Sequence, residues 1–437
     1  MRVSMLTPLP PAKTGVAHYA SMLIPALRKR VDLALNDLSI PDRIYHLGNN
    51  PHHEWIYREA MQTPGVIVLH DLVLHHLIVE MTLARGDVDG YVAALRANHG
   101  EAGAAWARGR AAGLHSEMGN FLLPASVDVA QRSRAVIVHN HYAADRLRSF
   151  GVTTPIHVVA HPFEPHVARP QPAHEERVIG FFGFLTSAKR AEVVLEAFAK
   201  ARGRRAMRLL VVGEPAPNID VRAFAAEGVT FTGFVPDEEF ATYFDAVDCL
   251  VNLRYPSAGE TSGTLIRALA AGKPVAVSDY AQFAELPDDC VVKIPFEGEV
   301  DALADFFAGE LPDMAAAQRR WLDENATVDI AAEGYVRALQ DVERVADRRV
   351  PPSIPLFPAL KASRHGDFVT LRNVGDITLK ARVYGQPGYR IIADRWYELP
   401  RDLPPGEEVT LAIPRNVRLY HALESIPMLD AEPFDEV

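Results

Sequence analysis

Between Tyr255 and Asp279 the chain reads YPSAGETSGTLIRALAAGKPVAVSD. An apolar run ends near Arg254, a Pro-Ser-Ala-Gly-Glu-Thr-Ser-Gly loop follows, and TLIRALAAG is helical until Gly272 stops it and Pro274 opens the next strand. A Gly-containing loop that opens a helix at the end of a strand gathers unpaired amides at the positive end of the helix dipole, which suits a diphosphate. An ordinary strand-to-helix loop with Ser or Thr as the cap would read the same. Two further stretches sit where ligands are held. PLPPAKTGVAHYASMLIPAL puts Gly15 between the first strand and an amphipathic helix, where its backbone can approach a phosphate or an acceptor. GVIVLHDLVLHHL puts His70 and Asp71 at the C-terminal end of a buried strand, the customary place for ligand contacts in an open α/β sheet, although a satisfied core histidine fits as well. His75 and His76 follow, but no acidic or cysteine ligand completes a metal set with His70, so no metal is expected. GNNPHH (48 to 53) and HNHY (139 to 142) also sit at strand ends, lining an acceptor or capping turns.

These residues need a scaffold, and the periodicity supplies one. Short apolar runs alternate with longer helical patterns for about 345 residues, as parallel sheets with helical crossovers require. In the first half they are residues 2 to 7, 32 to 36, 43 to 48, 65 to 70, 135 to 140 and 156 to 161. In the second they are 178 to 183, 208 to 213, 229 to 234, 249 to 254, 274 to 279 and 291 to 295. Each half therefore holds enough strands for its own Rossmann-like sheet. The expected division is a first Rossmann-like domain over 1 to 165 with an Ala-rich helical insertion over 72 to 134, a second over 166 to 350, and a small antiparallel β domain over 351 to 437. HPFEPHVARPQPAHEE (161 to 176) reads as the linker, and VPPSIPLFP (350 to 358) as the second break. FVTLRNV, KARVYG, YRIIADRWYEL and EEVTLAIP are the strands expected of the tail.

Bulk properties narrow the partners. Of 437 residues, 48% are hydrophobic and 23% charged, which is ordinary globular composition. A net charge of −11 argues against a broad grip on nucleic acid or an anionic membrane. Cys249 and Cys290 lie in apolar stretches and read as buried thiols. No secretory signal and no run of roughly 18 apolar residues is visible, so a cytoplasmic protein is expected, with peripheral membrane contact left open.

PSAGETSG resembles the Pro-Ser-x-x-Glu-Gly-Phe-Gly loop of the family 4 retaining glycosyltransferases, and RALAAGKPV resembles that family's Glu-Ala-hydrophobic-Ala-x-Gly-x-Pro-Val stretch. GFLTSAKRAEVVLEAF (183 to 198) is similar to its Gly-Arg-Leu-x-x-x-Lys-Gly turn, RLLVVGEP to its Leu-x-Ile-Val-Gly strand, and VTFTGFVPDEEFATYFDAVDCLV to its Val-x-Phe-x-Gly-x-Val segment. The likeness covers 178 to 300 and implies a GT-B fold, two Rossmann-like domains facing a cleft. It also implies site residues. Glu260 matches the first acid of the family's paired-glutamate motif, beside the donor sugar. Thr261, Ser262 and Gly263 then offer amides or hydroxyls to the diphosphate, and Lys189 neutralises it. His70 matches a histidine that contacts the donor sugar, and Gly15 falls in the family's Gly-rich first loop. The sequence departs from the pattern at Phe184, where the family has an arginine beside Gly183, and at Arg267, where it has the second, ribose-holding glutamate. Arginine cannot accept a bond from ribose hydroxyls. Arg190, Arg254 and Arg267 are therefore candidates to share the cationic work at the phosphates, and Gly183, Phe184 and Glu285 are candidates at the nucleotide or its ribose, Glu285 as the ribose acceptor.

The implied reaction is retaining transfer of a hexose-type sugar from a nucleotide-diphosphate sugar to a glycan, lipid-linked or other hydroxyl acceptor, without metal or other cofactor. The nucleotide would lie mainly on the second domain, the acceptor on the first, and the tail could join subunits. Competing readings are a GT-B epimerase or phosphorylase, and a non-catalytic nucleotide-sugar-binding partner. A dehydrogenase is poorly supported, because no G-x-G-x-x-G follows the first strand.

Overall fold

A computed structural model describes residues 1–12, 14–113, 120–121, 123–170, 175–216, 221–344, 360–373, 382–383, 386–387, 390–392, 396–398, 401, 403–412 and 420–422. The expected break at 350 to 358 and residues 171 to 174 of the expected linker lie outside these. The chain divides into two units. The first comprises Met1–Val159, Ala258–Glu260 and Gly334–Val437, and the second Ala160–Ser257 and Thr261–Glu333.

In the first unit the order is β1 (Arg2–Leu6), α1 (Gly15–Arg28), β2 (Asp32–Leu35), β3 (Arg43–Leu47), α2 (Glu54–Gln62), β4 (Val66–Leu69), α3 (His75–Met81), α4 (Val88–Ala111), α5 (Val127–Arg132), β5 (Ala135–Val138), α6 (His141–Ser149) and β6 (Ile156–Val158). The strands form one parallel sheet in the order β2-β1-β3-β4-β5-β6. All four residues of VIVL in β4 and of AVIV in β5 are buried, as central strands covered on both faces must be. The order reverses at β1, which pairs with both β2 and β3. Loops after β1 and β3 therefore flank the switch point where open α/β sheets bind ligands.

The second unit repeats the plan with β7 (Arg177–Phe182), α7 (Ala191–Arg202), β8 (Met207–Val212), β9 (Val229–Phe231), α8 (Asp237–Tyr243), β10 (Cys249–Asn252), α9 (Gly263–Ala270), β11 (Val275–Ser278), β12 (Val292–Ile294), α10 (Glu299–Ala308), α11 (Ala315–Asn325) and α12 (Val328–Arg344), whose residues from Gly334 count with the first unit. Its parallel sheet runs β12-β11-β10-β7-β8-β9, so the switch point lies at β7 and β10. Successive residues of β7 face opposite sides. Phe181 packs with Val194 and Phe198 of α7 and Phe307 of α10, while Phe182 packs with Leu265 and Leu269 of α9 and with Phe244. Each such side chain contributes about 1.5–3 kcal/mol by leaving water. This two-sided core fixes where α7 and α9 begin, and those starts carry the site.

In the tail, β13 (Leu360–His365), β14 (Phe368–Asn373) and β19 (Glu408–Ala412) form an antiparallel three-stranded sheet. The segments Arg382–Val383, Gln386–Pro387, Arg390–Ile392, Trp396–Glu398 and Tyr420–Ala422, β15 to β18 and β20, pair antiparallel in two smaller sheets. Among the described residues, no helix is long and apolar enough to cross a membrane.

Candidate functional site

The loops after β7 and β10 meet at Gly183. Its φ of +94° belongs to the left-handed region, and a Cβ there would come within 2.7 Å of Lys189 Nζ and 2.8 Å of Thr264 Oγ1. Only glycine leaves that space open. Lys189 ends a 3₁₀ turn, Ser187–Lys189, and is 4% exposed, its ammonium donating to Phe182 O at 2.5 Å. Thr264 stands in the first turn of α9. Ser262 caps that helix, its hydroxyl accepting from Leu265 N at 3.3 Å and donating to Asn252 Oδ1 at 3.0 Å. The cap that local sequence allows and the anion site that the loop allows are thus compatible. Ser262 is spent on the cap, while Gly263, exposed and with open space before its Cα, and Thr264 carry the start of the helix. A buried ammonium, a hydroxyl and a helix N-terminus at one glycine make a point of positive potential suited to a phosphate oxygen. Thr261 is half-buried beside them.

The other expected cations are engaged differently. Arg190, in the left-handed conformation, donates through Nε to Glu299 Oε1 and Oε2 at 2.9 and 3.0 Å and through Nη2 to Oε2. Its guanidinium also lies 5.9 Å from the Tyr255 ring centre and 5.7 Å from that of Phe296. Burial pushes the Glu299 carboxyl up although Arg190 pulls it down. Arg190 therefore fastens the Lys189 turn to α10. Sequence reasoning did not single out Glu299, 109 residues away, and no local pattern marks it. Arg254 is buried, its Nη1 donating to Leu253 O at 3.0 Å. Arg267 lies 5.5 Å from the Phe240 ring centre. Phe184 is exposed, and Glu285 is half-buried just after the 3₁₀ turn Ala281–Phe283.

In the first unit, Gly15 is the first residue of α1, exposed, behind Thr14, whose hydroxyl accepts from Ala17 N. Glu260 belongs to the tripeptide that counts with this unit. Ala258 O accepts from Val73 N at 3.1 Å, Gly259 O accepts from Asn140 Nδ2 at 3.0 Å, and Glu260 Oε2 accepts from Ala258 N at 3.0 Å. Asp71 Oδ2 accepts from Asn49 N at 2.8 Å. Desolvation, with the charge of Glu260 adding to it, pushes the Asp71 carboxyl up to about 7.

His70 is the middle of a buried chain. His139 Nδ1 lies 2.9 Å from Val159 O, His139 Nε2 lies 3.1 Å from His70 Nδ1, His70 Nε2 lies 3.1 Å from His46 Nδ1, and His46 Nε2 lies 3.4 Å from the Tyr335 hydroxyl. Because a carbonyl only accepts, His139 carries its proton on Nδ1, and the remaining tautomers follow in turn, with His70 and His46 also protonated on Nδ1. Both ring nitrogens of His70 are thus engaged, and burial lowers His46 to about 3 and His139 to about 4. His75 bonds Leu123 O and the Tyr91 hydroxyl, and His76 lies against Asn49 and Asn120. Cys249 and Cys290 are buried free thiols.

The two switch-point sheets define a GT-B protein, and solved structures agree. The chain superposes on sucrose-phosphate synthase (tll1590) from Thermosynechococcus elongatus with a TM-score of 0.54 at 15% identity, covering 79% of this chain and 100% of that one. It superposes on Anabaena Alr3699/HepE, solved with UDP and glucose, with a TM-score of 0.53 at 13% identity, covering 78% and 99%. Residues 176–311, the core of the second unit, match the model of the Glycosyl transferases group 1 family. No curated protein matches the sequence.

Proposed function

We propose that the protein transfers a hexose-type sugar from a nucleotide-diphosphate donor to a hydroxyl acceptor, with retention at the anomeric carbon and without a metal ion. The observation that carries the reading is the convergence of Lys189 Nζ and Thr264 Oγ1 on the open face of Gly183, at the switch point of the second sheet. In this reaction the bond from the anomeric carbon to the diphosphate breaks and negative charge grows on the leaving oxygens. A fixed cation and helix-terminal amides stabilise that charge without reorganising, the role a divalent ion fills elsewhere. Lys189, Gly263 and Thr264 serve the diphosphate, and Thr261 and Ser262 shape its loop. Glu260, one residue before that loop, meets the sugar. His70, with both ring nitrogens bonded, acts as a fixed wall for the sugar, and Gly15 admits the ligand closely beside α1. The HepE structure contains UDP and glucose, which favours a uridine diphosphate donor as the first to try.

The test is calorimetry with UDP-glucose, UDP-N-acetylglucosamine, GDP-mannose and ADP-glucose, followed by release of the nucleoside diphosphate in the presence of sugar acceptors. Wild type is expected to bind and turn over one of them, and Lys189→Ala and Glu260→Ala to lose at least about 100-fold in turnover while keeping the fold, as removal of a charge-stabilising group does. Near-normal turnover in both variants would sink the site assignment. Binding without product would instead favour a non-catalytic partner.

A further inference from the structure

Asn252 breaks the apolar row of β10 at its last residue. Successive side chains of this strand alternate between the faces of the sheet, Cys249 and Val251 packing with residues of α7 and α10, and Leu250 with residues of α9. The next position on the α9 side is Asn252, 2% exposed, where a strand covered on both faces calls for an apolar residue. Its amide oxygen accepts from the Ser262 hydroxyl at 3.0 Å. Among the described residues its buried amide nitrogen has no hydrogen-bond partner. An amide buried with half its capacity unmet adds less to stability than an apolar side chain of similar outline. The residue therefore serves something other than the core, and its one bond shows what. The Ser262 oxygen accepts from Leu265 N, and its single proton needs an acceptor. Asn252 supplies that acceptor and so holds the hydroxyl with its lone pairs toward the helix. Asn252 is itself well anchored, because β10 lies between β7 and β11 and all four of its residues are buried. Two residues beyond Ser262, the Thr264 hydroxyl stands at Gly183, where Lys189 Nζ also arrives.

We infer that Asn252 is a positioning residue of the diphosphate site. Through Ser262 it sets where α9 begins, and so where the amides of Gly263 and Thr264 and the Thr264 hydroxyl meet the phosphates. The inference rests on the reading of the protein as a nucleotide-sugar transferase and adds to it a residue that acts only through another. A central strand is the most rigid support available to such a turn, and one amide joins the two.

Calorimetric titration of the full chain with UDP, GDP, ADP and inorganic pyrophosphate, alongside thermal melting, tests it in Asn252→Leu, Asn252→Val, Ser262→Ala and the double change Asn252→Leu with Ser262→Ala. For whichever of these ligands the wild type binds, both Asn252 variants are expected to raise Kd about fivefold. Their melting temperatures should shift by no more than about 3 °C, because removing the unmet amide offsets losing the bond. In the Ser262→Ala background the Asn252 change should alter Kd by less than about twofold, since residues that act through one bond are not additive. With the donor that the wild type turns over, kcat should fall while KM stays within about twofold, because fixed amides stabilise charge that grows as the sugar leaves. Unchanged Kd in both Asn252 variants would overturn the inference and leave the transferase reading standing. So would a melting temperature lowered beyond that limit in every variant that binds worse, or losses that multiply with that of Ser262→Ala. If the wild type binds none of the four ligands, the transferase reading fails first and the inference with it.

Discussion

At the scale of single residues, the site depends on an absent side chain. Gly183→Ala would press a methyl between Lys189 Nζ and Thr264 Oγ1 and strain a φ of +94°. Alanine in the left-handed region costs about 1–2 kcal/mol, so stability should fall modestly while nucleoside diphosphate affinity falls tenfold or more, read by calorimetry and melting together. Asp71 gives a second test. Its carboxyl is raised from 3.8 to about 7, so the folded chain holds a proton there that the unfolded chain releases above pH 4. That contribution to stability is complete below pH 4 and lost as pH rises through 7. Asp71→Asn keeps an acceptor for Asn49 N and removes the titration. Its melting temperature should therefore gain on wild type between pH 5 and pH 8, and a gap that does not widen would show Asp71 to be an ordinary carboxylate. Lys189 is singled out in the sequence by the resemblance of residues 183 to 198 to a family strand-to-helix turn, and the Thr261–Gly263 loop by its place between a strand and a helix. The partners of His70 could not be found there, since His46 and His139 stand 24 and 69 residues away and meet it only through strand pairing.

At the scale of elements, each of the twelve apolar runs of the first 295 residues holds a strand, ten of them one to three residues shorter than the run and two shifted back by one, because burial of the central strands on both faces admits almost nothing but apolar side chains. Strand order was not visible in them. The switch points emerge only when β1 pairs with both β2 and β3, and β7 with both β8 and β10, and it is the second reversal that brings the Lys189 turn beside α9. That turn is tethered by Tyr255 N donating to Ala188 O at 2.8 Å and by the Arg190 to Glu299 pair, which joins the start of α7 to the start of α10. Glu299 is 5% exposed, so Glu299→Ala leaves a largely covered guanidinium facing a gap and should cost about 2 kcal/mol. The loss should be local. Amide hydrogen exchange of residues 187 to 194 is expected to quicken tenfold or more while β7 and β10 stay protected, and nucleoside diphosphate affinity should fall because Lys189 is no longer held. Unchanged exchange there would mean that the core beneath α7, with Val194 and Phe198, and the bond to Ala188 O position the turn without the ion pair.

At the scale of the whole molecule, ionisable burial is divided unequally between the two units. His46, His75 and His99 are lowered to about 3, and His53 and His139 to about 4, in each case first by burial, and all five belong to the first unit. Each stays neutral in the folded chain at pH values where the unfolded chain, with imidazoles near 6.5, takes up a proton. The unfolded state therefore binds more protons between about pH 6.5 and pH 4, so stability rises with pH across that window and falls as acid is added. Five sites acting together remove several kcal/mol per pH unit near pH 5, a large fraction of what holds a domain folded. The described histidines of the second unit, His161 and His166, are only half-buried. Acid should consequently open the first unit while the second still holds its nucleotide end together. Segment-resolved hydrogen exchange at pH 7, 5.5 and 4.5 would show amides of β4 and β5 losing protection before those of β7 and β10. A single cooperative loss across both sheets would mean that the units unfold as one, with the histidine chain drawing on the stability of the whole protein.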